Sequence, residues 1–271
     1  MTLRHGSLFS GIGGFDLAAE WVGWKNVFHC EWNDFGQKVL KHYWPEAESY
    51  GDITKTDFSK WRGSVDIISG GFPCQPYSGA GKRLGKEDER HLWPHMLRAI
   101  REAAPSFVVG ENVRGLTNWN GGLVFDEVQT DLEALGYQVA AFLIPAAGVN
   151  APHGRDRIWF VAYLHKISGQ QLGISKTKNS PQRSKEIRRK NRQFVQLAFD
   201  GNTFAEQWQR KPESLSEPPM VSESHGFSNK LDGITFSKWA EQSNEAYGNA
   251  IVPQVAYQIF KTIEQTKYEN Y

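Results

Sequence analysis

A doubly wound α/β sheet is the fold this sequence predicts, and three observations predict it. Over residues 4 to about 164, short apolar runs alternate with amphipathic stretches of helical period, the pattern of strand and helix in turn. Glycines and polar residues cluster after several apolar runs, at the carboxyl ends of strands, where open α/β sheets hold their ligands. The 271 residues, 39% hydrophobic and 23% charged, form an ordinary globular composition. That length suits one domain of about 200 residues plus a smaller module.

The elements follow in order. His5 to Phe9, Val27 to Cys30, Val65 to Ser69, Phe107 to Val109, Gln138 to Ile144 and Ile158 to Leu164 read as strands. Phe15 to Trp21, Phe35 to Tyr43, Leu92 to Ala103 and Phe125 to Leu135 read as helices, because their apolar residues recur every three or four positions. Ile144 to Ile158, rich in Gly, Pro and Asn, reads as a loop or hairpin turn. The alternation then stops. Residues 165 to about 240 are polar and broken by Pro181, Pro212, Pro218 and Pro219, the signature of a small insert or extended loops. An amphipathic helix over roughly Pro253 to Thr266 is expected to return to the α/β body. The expected division is therefore 1–164, 165–240 and 241–271.

Composition narrows the function classes. No stretch approaches the roughly 20 apolar residues of a membrane span, and Met1 to Arg4 leads into a strand without a signal-peptide pattern, so a soluble, intracellular protein is expected. Cys30 and Cys74 form at most one bridge, and no CxxC or His/Cys cluster offers a zinc site, so no metal is expected. The net charge of +1 hides a polarised distribution. Between His165 and Gln193, nine Lys and Arg stand against the single acid Glu186, a net +8 that leaves −7 on the rest. Such a stripe suits phosphate neutralisation, and equally suits a solvated loop.

Ser7-Leu8-Phe9-Ser10-Gly11-Ile12-Gly13-Gly14 runs from the first strand into the first helix, where a glycine-rich turn lets backbone approach a ligand. Asp16 stands where a dinucleotide fingerprint wants its third glycine, and no Lys-Ser/Thr completes a P-loop. Glu31, 20 residues after Gly11, is placed to take a ribose hydroxyl pair, and Asp52 to take an adenine amino group. An adenosine-type cofactor fits; a merely tight strand-to-helix turn is the alternative. Gly70-Gly71-Phe72-Pro73-Cys74-Gln75-Pro76 brings Cys74 to another strand end. A thiol there serves as a nucleophile if a cation or helix terminus lowers its pKa, and otherwise is a small buried hydrophobe. Glu111-Asn112-Val113 also ends a strand, and Arg155-Asp156-Arg157 precedes one. Read singly these are a surface carboxylate and a loop ion pair, yet all converge on one crevice.

Together these segments closely resemble the cytosine-C5 DNA methyltransferase family, across nearly all of residues 5 to 164 and again about 247 to 260. Leu8 to Gly14 is similar to the family's S-adenosylmethionine turn, and Gly71 to Ser78 to its catalytic loop. Glu111-Asn112-Val113 resembles its acidic motif and Arg155-Asp156-Arg157 its paired-arginine motif. Gly248-Asn249-Ala250-Ile251-Val252-Pro253 resembles its C-terminal cofactor motif. His153 stands where the family commonly has Gln, and the family's helix-rich motif between the target region and the last helix is poorly recognisable over Glu213 to Ile234.

The resemblance implies a Rossmann-like, S-adenosylmethionine-dependent methyltransferase sheet with a small basic target-recognition insert. It also implies covalent chemistry: Cys74 adds to C6 of a flipped-out cytosine, Glu111 serves its N3/N4 edge, and Arg155 and Arg157 hold the adduct's base and a nearby phosphate. Phe9, Ser10, Gly11, Gly13, Gly14, Glu31, Trp32, Asp52, Ile53, Pro73, Asn249 and Val252 would surround the cofactor, with Phe9 and Trp32 sandwiching the adenine; an aromatic lid on the core is the other reading of Trp32. Gln75, Ser78, Arg90, Arg183, Lys185, Arg188, Arg189 and Lys190 would contact DNA. Ser78 to Arg90 has the glycine-rich composition of a loop that closes over a flipped base. The implied substrate is double-stranded DNA, with a companion restriction endonuclease as partner in function, a monomeric state and a bacterial or phage-encoded, cytoplasmic protein. A transfer-RNA cytosine methyltransferase and a non-catalytic DNA-binding relative are the rival readings. The DNA-type Pro73-Cys74-Gln75 weighs against the first, and the retained Cys74, Glu111 and arginines against the second.

Overall fold

A computed structural model of the chain describes residues 2–73, 92–151, 153–164 and 236–269. Seven strands form one sheet: β1 (Arg4–Leu8), β2 (Lys25–Cys30), β3 (Glu48–Tyr50), β4 (Ile67–Gly70), β5 (Phe107–Val113), β6 (Tyr137–Ile144) and β7 (Arg157–Leu164). Among the described residues six α-helices accompany them: α1 (Gly14–Trp21), α2 (Asp34–Tyr43), α3 (Trp93–Ala103), α4 (Leu123–Ala134), α5 (Phe236–Asn249) and α6 (Pro253–Glu269).

The strand order is β3-β2-β1-β4-β5-β7-β6. β1 to β5 are mutually parallel, and β7 runs antiparallel to both β5 and β6. Central parallel strands are covered on both faces, which is why β4 reads as an unbroken buried run. Because side chains alternate along a strand, adjacent residues serve opposite faces. Ile67, Val109 and Trp159 join Phe15, Trp24 and Phe260 on the face covered by α1 and α6; Ile68, Val108 and Phe160 join Met96, Ile100 and Val128 on the face covered by α3 and α4.

The helix ends obey local chemistry. Asn33 caps α2 by accepting from the amides of Phe35 and Gly36, and Pro94 sits in the first turn of α3, where a missing N–H costs nothing. β6 and β7 form the hairpin expected around the Gly- and Pro-rich turn, with a short 3₁₀ turn at Ala146–Val149.

Two elements depart from the sequence reading. β3 is a three-residue edge strand of sequence Glu-Ser-Tyr, too short and polar to announce itself. α5 begins at Phe236, inside the stretch read as an irregular insert. The chain divides into two compact units, Met1–Gly169 with Ala246–Tyr271, and Gln170–Glu245. Among the described residues no helix is long and apolar enough to cross a membrane.

A polar thread runs through the body. Burial lowers the His5 pKa to about 4 and keeps its ring neutral. Its Nδ1–H therefore donates to Asn26 Oδ1 (2.7 Å), and its Nε2 accepts from the Ser69 hydroxyl (2.7 Å). Asn26 passes the thread on by donating to the carbonyl of Asp16 (2.9 Å).

Candidate active site

The topology dictates where a ligand site opens. From β1 the chain builds outward through β2 and β3, then returns to lay β4 on the other side of β1, so the sheet's switch point lies between β1 and β4. Leu8 and Gly70, the last residues of those strands, are paired in register. β1 runs out into the glycine-rich turn and β4 into Gly71-Phe72-Pro73.

The glycine-rich turn is held open from below. Phe9 (φ 52°), Gly11 (φ 56°) and Gly13 (φ 87°) are left-handed, an arrangement that bends the chain sharply into α1. Ser10 donates its amide to Cys30 O (3.2 Å), and Gly11 donates its amide to Glu31 Oε2 (2.6 Å). Glu31 Oε1 accepts from the Asn33 amide (2.7 Å), so both carboxylate oxygens are fixed at the end of β2. A Cβ added at Gly11 would meet nothing within 4 Å: the space above the turn is open. Trp32 beside it is 74% exposed, so it is no lid on the core. Asp52 is committed locally: its Oδ1 accepts from the amide and hydroxyl of Thr54 (2.9 and 2.6 Å), and its Oδ2 pairs with Lys55 (3.0 Å). The Thr54 hydroxyl, then Lys55, hold its carboxyl down at about 2. Ile53 is buried and its carbonyl accepts from Arg98.

Under the turn lies a carboxylate that the sequence reading took only as a missing glycine. Asp16 is fully buried and accepts from the Ser7 hydroxyl (2.9 and 2.8 Å), and the Ser7 and Ser10 hydroxyls are 2.6 Å apart. Burial raises its pKa to about 7 against the pull of Ser7.

On the other side of the switch point stands Glu111, 8% exposed on β5. Its Oε1 pairs with Arg157 Nε at 2.9 Å, and a Cβ on Gly71 would lie 3.3 Å from its Oε2. That second oxygen thus faces the segment leading to Cys74. Burial lifts the Glu111 carboxyl to about 7, while Arg157 and Arg155 oppose the shift. A carboxyl poised there can hold or release a proton near neutral pH. The antiparallel register of β7 on β5 produces the pairing, since Val113 lies opposite Arg157.

Asn112, part of the acidic motif but given no role of its own by the sequence, donates to Phe72 O (2.9 Å) and fastens the start of the Cys74 segment. Phe72 itself packs on Trp93 (ring centroids 5.0 Å apart). Pro73 is the last residue described before Cys74. Cys74, Gln75, Ser78, Arg90, Arg183, Lys185, Arg188, Arg189 and Lys190 all lie outside the described residues, as does nearly all of 165–240.

Arg155, grouped with Arg157 in the sequence reading, faces the chain itself: its Nη1 donates to Gly248 O (3.0 Å) and its Nη2 to Ala250 O (2.6 Å). Asp156 between them pairs with Arg114 (2.8 Å). In the same turn the Asn249 side chain is exposed, and Val252 packs against the α1 and α6 core. Among the described residues no group of three His, Cys, Asp or Glu side chains is placed to hold a metal.

Residues 3–231 match the C-5 cytosine-specific DNA methylase family. The chain belongs to that family. Members of this C-5 cytosine methylase family use S-adenosylmethionine as methyl donor. Among its relatives, the type II methyltransferase M.HhaI of Haemophilus parahaemolyticus is 33% identical over 175 residues, 64% of this chain and 53% of that one. The type II methyltransferase M.Eco47II of Escherichia coli is 37% identical over 164 residues, 59% of this chain and 39% of that one. This methylase chain thus spans about half the length, or less, of these curated relatives. The fold is shared with the S. pombe Dnmt2 methyltransferase, at a TM-score of 0.51 and 19% identity over 66% of this chain and 57% of that one. It is shared too with the Entamoeba histolytica methyltransferase EhMeth, at a TM-score of 0.51 and 20% identity over 66% and 58%.

Proposed function

We propose that this methylase transfers a methyl group from S-adenosylmethionine to C5 of a flipped-out cytosine within a specific double-stranded DNA sequence. The observation that carries the reading is Glu111: a buried carboxyl raised to about 7, paired with Arg157, its other oxygen turned toward the segment that leads into Cys74.

The cofactor fits the β1 side. The open space over Gly11, the fixed carboxylate of Glu31 and the exposed indole of Trp32 suit an adenosine with its ribose hydroxyls. Phe9, Ser10, Gly13, Gly14, Ile53, Pro73, Asn249 and Val252 complete that surround. Asp52, already engaged by Thr54 and Lys55, would reach an adenine amino group only with its remaining lone pairs.

Cytosine C5 is a poor nucleophile, so electrons must first enter the ring. The Cys74 thiolate forms a bond to C6, and the displaced electron pair is accepted at N3, where Glu111 supplies or holds a proton. Arg157 steadies Glu111 and the base with its planar fork. C5, now nucleophilic, would take the methyl group from bound S-adenosylmethionine, the electron pair of the broken S–CH3 bond staying on sulfur in S-adenosylhomocysteine. Loss of the C5 proton to solvent water then returns the electron pair to the Cys74 sulfur as the C6 bond breaks, leaving 5-methylcytosine. Within a duplex C6 is out of reach of a thiolate, so the base is extruded at a cost of a few kcal/mol, about what unstacking one pair demands.

The segment 165–240 serves as the target-recognition region, with Arg183, Lys185, Arg188, Arg189 and Lys190 on phosphates and Gln75, Ser78 and Arg90 near the flipped base. The type II relatives support a companion restriction endonuclease as partner in function. The protein acts as a cytoplasmic monomer.

Bisulfite sequencing of a plasmid from a methylation-deficient host tests the reading. Protected cytosines in one recurring sequence, absent with Cys74→Ala, are expected; no protection from soluble protein would overturn it.

A further inference from the structure

Arg155 has an unusual setting. Its backbone is left-handed (φ 38°), a conformation strained for a non-glycine residue that persists only where its surroundings enforce it. The two ends of its fork reach across more than ninety residues to the carbonyls of Gly248 and Ala250. Gly248 lies in the last turn of α5, where helix carbonyls lack intrahelical donors and favour a cation. A planar fork suits two carbonyls set two residues apart; a lysine ammonium does not.

The segment so held is the link between α5 and α6, and it carries Ile251. A Cβ on Gly14, the first residue of α1, would strike Ile251 Cγ1 at 2.6 Å, and one on Gly71 would lie 3.8 Å from Ile251 Cγ2. Ile251 therefore sits against both sides of the switch point: the glycine-rich turn and the segment that faces Glu111 Oε2 and leads to Cys74. Removing the grip of Arg155 frees this wedge.

We propose that Arg155 is a positioning residue of the cofactor end: by clasping Gly248 and Ala250 it seats Ile251 between the glycine-rich turn and the Cys74 segment, and so serves cofactor affinity rather than contact with base or phosphate. The inference rests on the reading that the turn binds S-adenosylmethionine, and assigns to Ile251 a role not read from the sequence.

The test uses the full chain and two titrations: S-adenosylhomocysteine by calorimetry, and a DNA duplex by fluorescence anisotropy over a salt series. Arg155→Lys keeps the charge and loses the two-pronged grip; Ile251→Ala opens the seat and leaves the arginine alone. Both variants are expected to bind S-adenosylhomocysteine about tenfold more weakly, Arg155→Lys through the loss of one charged hydrogen bond and Ile251→Ala through the lost packing of its side chain. Their DNA affinity and salt slope should match the parent chain. An Arg155→Lys variant with unchanged S-adenosylhomocysteine affinity would overturn the proposal, and weaker DNA binding beside it would make Arg155 a contact to base or phosphate that needs the planar fork. If thermal melting shows that Arg155→Lys does not fold, Ile251→Ala decides alone, and an unchanged affinity there overturns the proposal. A parent chain that fails to bind S-adenosylhomocysteine sinks the cofactor reading itself, and this inference with it.

Discussion

Each side of the switch point holds one buried carboxyl, and the two differ in what surrounds them. Asp16, beneath the β1 turn, is closed in by hydroxyls: Ser7 donates to it and Ser10 adjoins Ser7. Glu111, at the end of β5, has guanidinium neighbours and one oxygen turned toward Gly71. Burial raises both to about 7. The shift alone therefore does not mark a reacting group. What separates them is access: Asp16 is fully spent on the fold, whereas Glu111 keeps an oxygen facing the route to Cys74.

The largest effect expected from that contrast is on turnover. Glu111→Gln should lower methyl transfer by about 10²–10⁴, the usual range for losing a general acid or base, with S-adenosylhomocysteine binding retained. Asp16→Asn, which keeps a partner for Ser7, should stay within about tenfold of the parent, well short of a general-acid loss. Labelled-methyl transfer to DNA measures both, and equal losses would erase the distinction.

Next in size is DNA affinity, which both carboxyls should leave untouched. Replacing Arg183, Lys185, Arg188, Arg189 and Lys190 by Gln should flatten the salt dependence of duplex binding by up to about 4.5 in log–log slope, near 0.9 for each phosphate that is no longer neutralised. Glu111→Gln and Asp16→Asn should leave that slope alone. An unchanged slope in the five-fold variant would make the insert a solvated loop.

Stability against pH brings the two carboxyls together again. Each has a folded pKa near 7, above the usual carboxylate value, so between about pH 4 and 7 the folded chain binds more protons than the unfolded one. Their contribution is full below pH 4 and is lost as pH rises to 7. His5 and His29, lowered to about 4 by burial, act the other way and lose stability as pH falls from 6.5 to 4. Asp16→Asn should remove a loss on the order of 1–3 kcal/mol across pH 4–7, read from denaturant midpoints at several pH values. A parallel curve for parent and variant would mean that Asp16 does not titrate in that window. The smallest effect expected is that of Asn33→Ala, which uncaps α2 beside Glu31: about 1 kcal/mol of stability in the same assay, with turnover nearly unchanged.

Much of this was legible in the chain itself. Adjacent pairs such as Ile67 and Ile68 announce a strand covered on both faces, and the interval from Gly11 to Glu31 is one helix-strand unit long. β3 was not legible, because three polar edge residues carry no period. Neither was the bond between Ser7 and Asp16, since a hydroxyl and an acid nine residues apart match no helical or strand repeat. The hold of Arg155 on Gly248 and Ala250 was invisible for a different reason: its partners are backbone carbonyls 93 and 95 residues away, which every residue type supplies. Local chemistry leaves a mark on sequence; backbone acceptors brought close by topology do not.

The packing of α6 on the first strand-helix unit has a consequence for how the chain is made. Phe260 stacks on Phe15 and packs tilted against His5 and Trp24, and the Trp24 indole donates to Glu264, 240 residues later. At about 5–20 residues per second a ribosome takes on the order of tens of seconds to cover that interval. Throughout that time α1 waits without the partner that α6 supplies. The first strand-helix unit therefore completes its packing only after residue 260 has emerged.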